Sequence, residues 1–239
     1  MRTNLVDHDF DGRLAQLHEL VGGARTLSAA LAWWTGGAYP TIHVLGAREH
    51  VLTAREHIDL RGEQHITGHE RVGMLSSARG GRTLALTKAL VIPDRIPRPV
   101  RLACGIPHPD NPEVTHATRI PLGVALATEC GPRFRRTEQT VRSIVFHDDE
   151  AGEPMSLQCT ATLLLDDEPI GLVTERLTRL VVEEFTPPGP VAGYLRGHDQ
   201  TSPAEPHWWS VGSLTRRWTN AARRRPVWQR HLVRVRGGA

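Results

Sequence analysis

The sequence predicts an α+β protein with a single, mostly antiparallel β-sheet flanked by helices. Two helical segments come first, and from Thr41 onward the chain changes to runs typical of β-strands. Two of these runs flank a Gly-Gly turn, as in an antiparallel hairpin. The long runs that follow do not alternate with helices, so parallel βαβ units are not expected.

The helices are indicated by apolar residues at helical spacing and by the residues that begin and end them. Residues 10–21 have this spacing, and a Gly-Gly pair closes the segment. The second helix is predicted to start at Thr26, a residue type that caps helix N-termini, and to stop at the next Gly-Gly pair. Two further short helices are expected at 98–104 and 120–130, the latter with Pro121 in its first turn.

The strands are indicated by extended apolar runs that end in turn-forming or proline-rich sequence. Acidic linkers separate the last three runs, and prolines close the third. The six runs are T-I-H-V-L-G-A-R from Thr41, H-E-R-V-G-M-L-S-S, R-T-L-A-L-T-K-A-L-V-I, and residues 133–146, 155–165 and 169–183.

Composition divides the chain into a body at 1–185 and a segment at 186–239, which reads as a Pro-rich linker and a basic tail with tryptophans and arginines. The formal net charge of the 239 residues is +3, yet residues 201–239 hold eight arginines against Glu205 alone. A charge run without a fold of its own is usually a solvated face. Nucleic acid is therefore not the expected partner.

Several functional classes are not expected. No apolar run approaches the roughly 18 residues that span a bilayer, and the N-terminus lacks the apolar part of a secretory signal. Three cysteines without CxxC spacing are typical of a reduced, cytoplasmic protein. The common nucleotide-binding, nucleophile-elbow and zinc-protease motifs are absent. His65 and His69 run from a loop into a strand, where residues four apart do not converge, so no metal is expected.

Three ionisable residues on predicted strands are candidates for a site. Glu175 lies on a mainly apolar strand face, which suits either an acid/base role or an edge-strand pairing with an arginine. Arg71 could present its guanidinium to a carboxylate, or form a surface ion pair across the strands. Lys88, the only lysine, has apolar face-mates and either reaches the sheet edge or meets an anion in a cavity.

These residues lie in motifs that, taken in order, resemble the chorismate lyase (chorismate pyruvate-lyase) family. The same fold serves as the effector-binding domain of a class of bacterial transcription regulators. The resemblance covers roughly residues 25–180. Its motifs are R-T-L-S-A-A-L with T-I-H-V-L-G, H-E-R-V-G-M-L, L-A-L-T-K-A-L-V-I-P-D-R-I-P, I-P-L-G-V-A-L and E-P-I-G-L-V-T-E.

The resemblance implies a carbon-oxygen lyase that removes pyruvate from chorismate to give a hydroxybenzoate. It implies a monomer with a small-molecule substrate, no metal or cofactor, and a site buried under helices. Arg71 would bind the ring carboxylate, and Glu175 would lie at the hydroxyl and enolpyruvyl end as a catalytic group. Leu27 and Leu122 would offer backbone contacts to the substrate.

Departures from the family pattern keep other functions open. The segment Gly23-Ala24-Arg25 lacks the family's usual acidic residue. Lys88 stands where the family usually has a small residue, so it would either add a substrate contact or fill the pocket. The tail beyond 185 has no family counterpart. The alternatives are another small acidic or cyclic substrate in a specialised biosynthetic pathway, with Lys88 and Glu175 as an acid/base pair, or a non-catalytic module that binds a small effector.

Overall fold

A computed structural model describes residues 4–37, 39–62, 66–78, 81–110, 120–148 and 153–198. Within these ranges the chain forms one six-stranded antiparallel sheet in the order β1-β2-β3-β6-β5-β4, flanked by helices. The predicted α+β class is therefore confirmed. The strands are β1 (Thr41–Val51), β2 (Thr67–Ser76), β3 (Thr83–Val91), β4 (Phe134–Asp148), β5 (Glu153–Leu165) and β6 (Glu168–Thr178).

Seven α-helices occur in the described part of the chain, and none of them has both the length and the apolar character needed to cross a membrane. The four predicted helices are present, with Thr26 accepting a hydrogen bond from the amide of Ala29 at 3.1 Å as an N-cap. The helices are α1 (Asn4–Gly23), α2 (Leu27–Trp34), α3 (Ala54–Asp59), α4 (Arg98–Cys104), α5 (Leu122–Cys130), α6 (Leu180–Glu184) and α7 (Val191–His198).

Helix α3 was not predicted, although its start signal is present in the sequence. Thr53 and Glu56 form a capping box, in which each side chain binds the backbone amide of the other residue. The last predicted strand, 169–183, was too long, because β6 ends at Thr178. A buried apolar run such as 180–182 fits a strand or a helix equally well by pattern alone, and it forms α6.

The folded body extends beyond the predicted boundary at 185. Helix α7 lies inside the segment predicted as a linker, and it packs on α1 and α2 through Val191, Tyr194 and Leu195. The rings of Tyr194 and Trp33 have centroids 5.0 Å apart. These three apolar residues have the spacing of one helical face, a signal that the surrounding prolines and glycines obscured. The predicted basic tail at 201–239 lies outside the described residues.

The main core lies on one face of the sheet, here called the inner face, which packs against α1, α2, α6 and α7. Trp34 is its largest fully buried side chain, and its indole N–H donates to the carbonyl of Val181 at 2.9 Å. This bond satisfies the polar atom of a side chain that is otherwise surrounded by apolar groups. Smaller apolar clusters lie against the opposite, outer face.

Gly171 is required by the close approach of β6 and β3. A Cβ atom at this position would lie 2.7 Å from the carbonyl oxygen of Leu90 and 2.9 Å from a methyl group of Val91. We expect Gly171→Ala to lower the free energy of unfolding by about 1–3 kcal/mol, because the backbone oxygen cannot move aside without disturbing the ladder. Urea denaturation would measure the change.

Gly12 provides the matched control for this prediction. It lies on the exposed side of α1, and nothing outside its own helix comes within 4 Å of the place that a Cβ atom would take. Gly12→Ala should therefore stabilise the protein by about 0.5–1 kcal/mol, because alanine has the higher helix propensity. Equal effects of the two substitutions would contradict the close packing inferred at Gly171.

Candidate functional site

A cavity of about 50 Å³ lies between the inner face of the sheet and the first turns of α2 and α5. Its wall combines apolar side chains with a small number of charged ones, as ligand sites commonly do. The lining residues are Thr26, Leu27, Ser28, Ile42, Arg71, Leu75, Thr87, Lys88, Ala89, Pro121, Leu122, Gly123, Phe134, Arg136, Leu163, Val173 and Glu175.

The register of the strands explains why two of the predicted residues share this cavity. Arg71 on β2 is directly opposite Ala89 on β3, and Thr87, two residues away, is opposite Glu175 on β6. Because side chains alternate between faces, Arg71, Thr87 and Glu175 all lie on the inner face. The structure therefore brings Arg71 and Glu175 to one cavity.

Arg71 is buried, with an exposed fraction of 5%. It is not the surface residue that a simple cross-strand ion pair would require. Burial lowers the pKa of its guanidinium below the ordinary value, and the adjacent Cys104 of α4 opposes this shift. Burial raises the pKa of the Cys104 thiol to about 11, so this neighbour is neutral at physiological pH. An arginine keeps its charge even after such a shift.

Glu175 is paired with an arginine that the sequence analysis did not identify. Arg136 on β4 donates from Nη2 to Oε2 of Glu175 at 2.7 Å and to the Sγ atom of Cys159 at 3.2 Å. Strand β5 lies between β4 and β6, so this is not a pair between adjacent strands. Glu175 stands on an interior strand, and not on the edge strand that one of its two interpretations required. The exposed fractions of the two side chains are only 3% for Arg136 and 13% for Glu175.

Burial around this pair raises the pKa of Glu175 and that of the neighbouring Cys159 thiol. Burial raises the pKa of Glu175 above its ordinary value, and the charge and hydrogen bond of Arg136 oppose that shift. Burial also raises the pKa of Cys159 to about 11, against the effect of Arg136 and with a contribution from the Glu175 charge. The thiol is therefore neutral, and Glu175 is a carboxyl group that takes up a proton more readily than an exposed glutamate.

The sequence did contain a signal for Arg136. It stands two residues after Phe134, which begins β4 and has an exposed fraction of 1%. In a strand, residues two apart lie on the same face, so an arginine in this position points inward with the phenylalanine. The surrounding arginines at 133 and 135, which are exposed, made the segment look like an ordinary charged surface.

Leu27 and Leu122, predicted to offer backbone contacts, are the first residues of α2 and α5. The two helix starts meet closely, since a Cβ atom at Gly123 would lie 3.3 Å from Thr26. Backbone amides in the first turn of a helix have no acceptor within that helix, and the helix dipole adds partial positive charge there. Both helices thus add to the positive potential at the cavity wall.

Lys88 does not reach this cavity with its charged group. It is opposite Val72 in the ladder and therefore lies on the outer face. Its ammonium lies 2.5 Å from Oε2 of Glu70, whose other oxygen pairs with Arg48 at 2.8 Å. This geometry corrects two predictions for Lys88, its contact with the same ligand and its pairing with Glu175. Because neighbouring residues of a strand point to opposite faces, Lys88 and its neighbour Thr87 lie on different sides of the sheet.

Two guanidinium groups and one carboxylate are thus the ionisable groups that the described residues direct into the cavity, so positive charge exceeds negative charge by one unit when Glu175 is ionised. Within the described ranges, no group of three or more histidine, cysteine or acidic side chains could hold a metal ion; His65 lies outside those ranges. The arrangement can accept a small anion and can exchange a proton at Glu175.

Comparison with known proteins gives matches only among solved structures. No family model and no curated protein matches the chain. PhnF from Mycobacterium smegmatis is 15% identical with a TM-score of 0.43, over 59% of this chain and 58% of that chain. A ligand-binding domain assigned to the GntR family of transcriptional regulators, from Bordetella bronchiseptica, has the same identity and TM-score over 58% and 85% of the respective chains.

A third similar structure is the C-terminal domain of the histidine utilization repressor from Pseudomonas syringae pv. tomato. It is 13% identical with a TM-score of 0.39, over 58% of this chain and 91% of that chain. Identities and TM-scores at this level assign neither a family nor a ligand to the chain.

Proposed function

We propose that the protein binds a small carboxylic acid in the cavity beneath α2 and α5, with Arg71 as the principal contact for the carboxylate. The observation that carries this proposal is that two guanidinium groups, those of Arg71 and Arg136, line a buried space together with one carboxylate. Such a wall stabilises an anion, and a carboxylate matches the geometry of a guanidinium.

The chemistry of Arg71 suits this role. Its thiol neighbour Cys104, with a pKa of about 11, supplies no negative charge at neutral pH. A planar guanidinium can donate two parallel hydrogen bonds to a carboxylate, which gives both affinity and orientation. The first turns of α2 and α5 can donate backbone hydrogen bonds from the opposite wall.

The size of the cavity indicates that binding involves movement. Its volume of about 50 Å³ is well below the roughly 300–1,000 Å³ of pockets that hold drug-sized ligands. A ring would therefore require the starts of α2 and α5 to move away from the sheet. The apolar lining, which includes Ile42, Leu75 and Leu163, favours a ligand with an apolar body behind its carboxylate.

Benzoate and benzamide form a matched pair of probes for this proposal, because they differ mainly in charge at the carboxyl position. We expect benzoate to raise the melting temperature of the protein in a concentration-dependent manner and to give a binding isotherm by calorimetry. Benzamide should do neither at the same concentrations. Equal stabilisation by both compounds, or by neither, would refute charge recognition in the cavity.

Catalysis on chorismate is a second candidate function, and the specific observation that favours it is a buried carboxyl group in the same cavity as Arg71. Loss of the enolpyruvyl group breaks the C–O bond to the ring, and the neighbouring ring C–H gives up its proton while its bonding electrons complete the aromatic ring. The released enolpyruvate takes up one proton at its methylene carbon, so the products are a hydroxybenzoate and pyruvate. Glu175, with its raised pKa, is suited to transfer that proton.

Pyruvate release from chorismate, coupled to lactate dehydrogenase, tests this second candidate. Turnover by the wild-type protein should be lost in Glu175→Gln while benzoate binding remains. If the wild-type protein releases no more pyruvate than the uncatalysed reaction, the cavity binds a ligand without performing this reaction.

A further inference from the structure

We infer that Arg136 is a second ligand-binding residue, and that the preferred acids carry an uncharged oxygen acceptor in addition to their carboxylate. This inference rests on the proposed function, in which Arg71 holds the carboxylate. It adds the part of the ligand that the far side of the cavity recognises. Hydroxy, oxo and ether-bearing acids belong to this class.

Arg136 has donors that the described residues do not use. Its Nη2 atom serves both Glu175 and Cys159, whereas Nε and Nη1 are buried and find no hydrogen-bond partner within the described part of the chain. Nearly all buried polar groups in folded proteins are satisfied, and an unsatisfied buried donor costs free energy. A ligand oxygen in the cavity would remove that cost.

The position of Arg136 places these donors across the cavity from Arg71. To reach Glu175 on β6, the Arg136 side chain crosses β5, a distance of two strand spacings or roughly 10 Å. Strand β2, which carries Arg71, lies two strands from β6 in the other direction. The two guanidinium groups therefore approach the same cavity from opposite sides of β6, and both line it.

The charges of Arg136 and Glu175 indicate why the ligand's second oxygen acceptor should be uncharged. Glu175 already offsets the charge of Arg136, at 2.7 Å, and the proposed function assigns the ligand carboxylate to Arg71. A second carboxylate at Arg136 would stand beside the carboxylate of Glu175 and be repelled. A hydroxyl, carbonyl or ether oxygen accepts from the unused Nε or Nη1 group without that repulsion.

The experiment compares benzoate with 3- and 4-hydroxybenzoate by calorimetry on four proteins. In the wild-type protein, at least one hydroxybenzoate should bind about tenfold more tightly than benzoate, as one added hydrogen bond to a charged donor predicts. Glu175→Gln should keep this preference, because its amide still leaves Arg136 in place. The double variant Arg136→Met/Glu175→Gln should lose the preference and keep benzoate binding.

The two variants without Glu175 differ only at position 136 and leave no buried carboxylate unpaired, so comparing them isolates the arginine. Arg142→Gln is the matched control: this exposed arginine is on the same strand, paired with Gln158 on the outer face, and its loss should change nothing. An undiminished preference in the double variant, or no preference in the wild-type protein while benzoate binds, would overturn the inference. Failure of benzoate itself to bind would instead overturn the proposed function.

Discussion

Replacing Arg136 with methionine should lower the free energy of unfolding by about 3–5 kcal/mol at neutral pH, because it leaves the carboxylate of Glu175 buried without its partner. Methionine preserves much of the length and volume of the arginine stem, so a cavity contributes little to the loss. Urea denaturation at pH 7 would measure the effect.

Removing the second charge should largely restore stability. The double variant Arg136→Met/Glu175→Gln has no unpaired buried ion at this pair, and we expect it to lie within about 1–2 kcal/mol of the wild-type protein. This double-mutant cycle would measure the coupling between the two residues directly. Additive losses in the cycle would show that Arg136 and Glu175 do not interact in solution.

The loss in Arg136→Met should also depend on pH. Because burial raises the pKa of folded Glu175 above its unfolded value, the folded state holds this proton more strongly. The stability contribution of that proton is fully present below the unfolded pKa and is lost as the pH rises through the folded pKa. Removing Arg136 raises the folded pKa further, so the deficit should be small near about pH 4 and grow toward pH 7. A deficit that is constant with pH would contradict the assignment to Glu175.

Replacing Arg71 with glutamine should weaken benzoate binding by about 30- to 140-fold, since a charge-assisted pair of hydrogen bonds to a carboxylate contributes roughly 2–3 kcal/mol. The neutral amide retains hydrogen-bonding capacity and a similar stem, so the loss reports mainly on charge. Calorimetric titration would give the ratio of the dissociation constants.

Lys88→Gln is the matched control for Arg71→Gln. Lys88 is on the adjacent strand β3, one residue before Ala89, which is directly opposite Arg71. The substitution therefore removes a nearby cation, but one that lies on the outer face. We expect its affinity for benzoate to stay within about twofold of that of the wild-type protein. A loss comparable to that of Arg71→Gln would restore Lys88 to the binding site and contradict the face assignment.

The fold could be predicted to a large extent because its signals are local. Each element is indicated by residues that are close to one another in the sequence. These signals are the alternation of apolar residues, the Thr26 cap and the positions of the prolines. The failures at α6 and α7 concern short segments whose apolar residues fit more than one structure until the rest of the core is in place.

The site was only partly predictable because it depends on strand order. Arg71 and Glu175 were found through motifs, but their meeting in one cavity requires β6 to lie beside β3, which no local pattern encodes. Arg136 was missed because its partner is two strands away and 39 residues later in the chain. Lys88 was predicted to contact the same ligand because a motif gives its position along the strand and not the ligand's side of the sheet.

The most direct test of ligand binding at Arg71 is a crystal structure of the full chain grown with 4-hydroxybenzoate. We expect the ligand between the sheet and the first turns of α2 and α5, with its carboxylate within about 3 Å of the Arg71 guanidinium. A ligand bound instead on the outer face beside Lys88, with the cavity beneath the two helices still closed, would contradict this expectation.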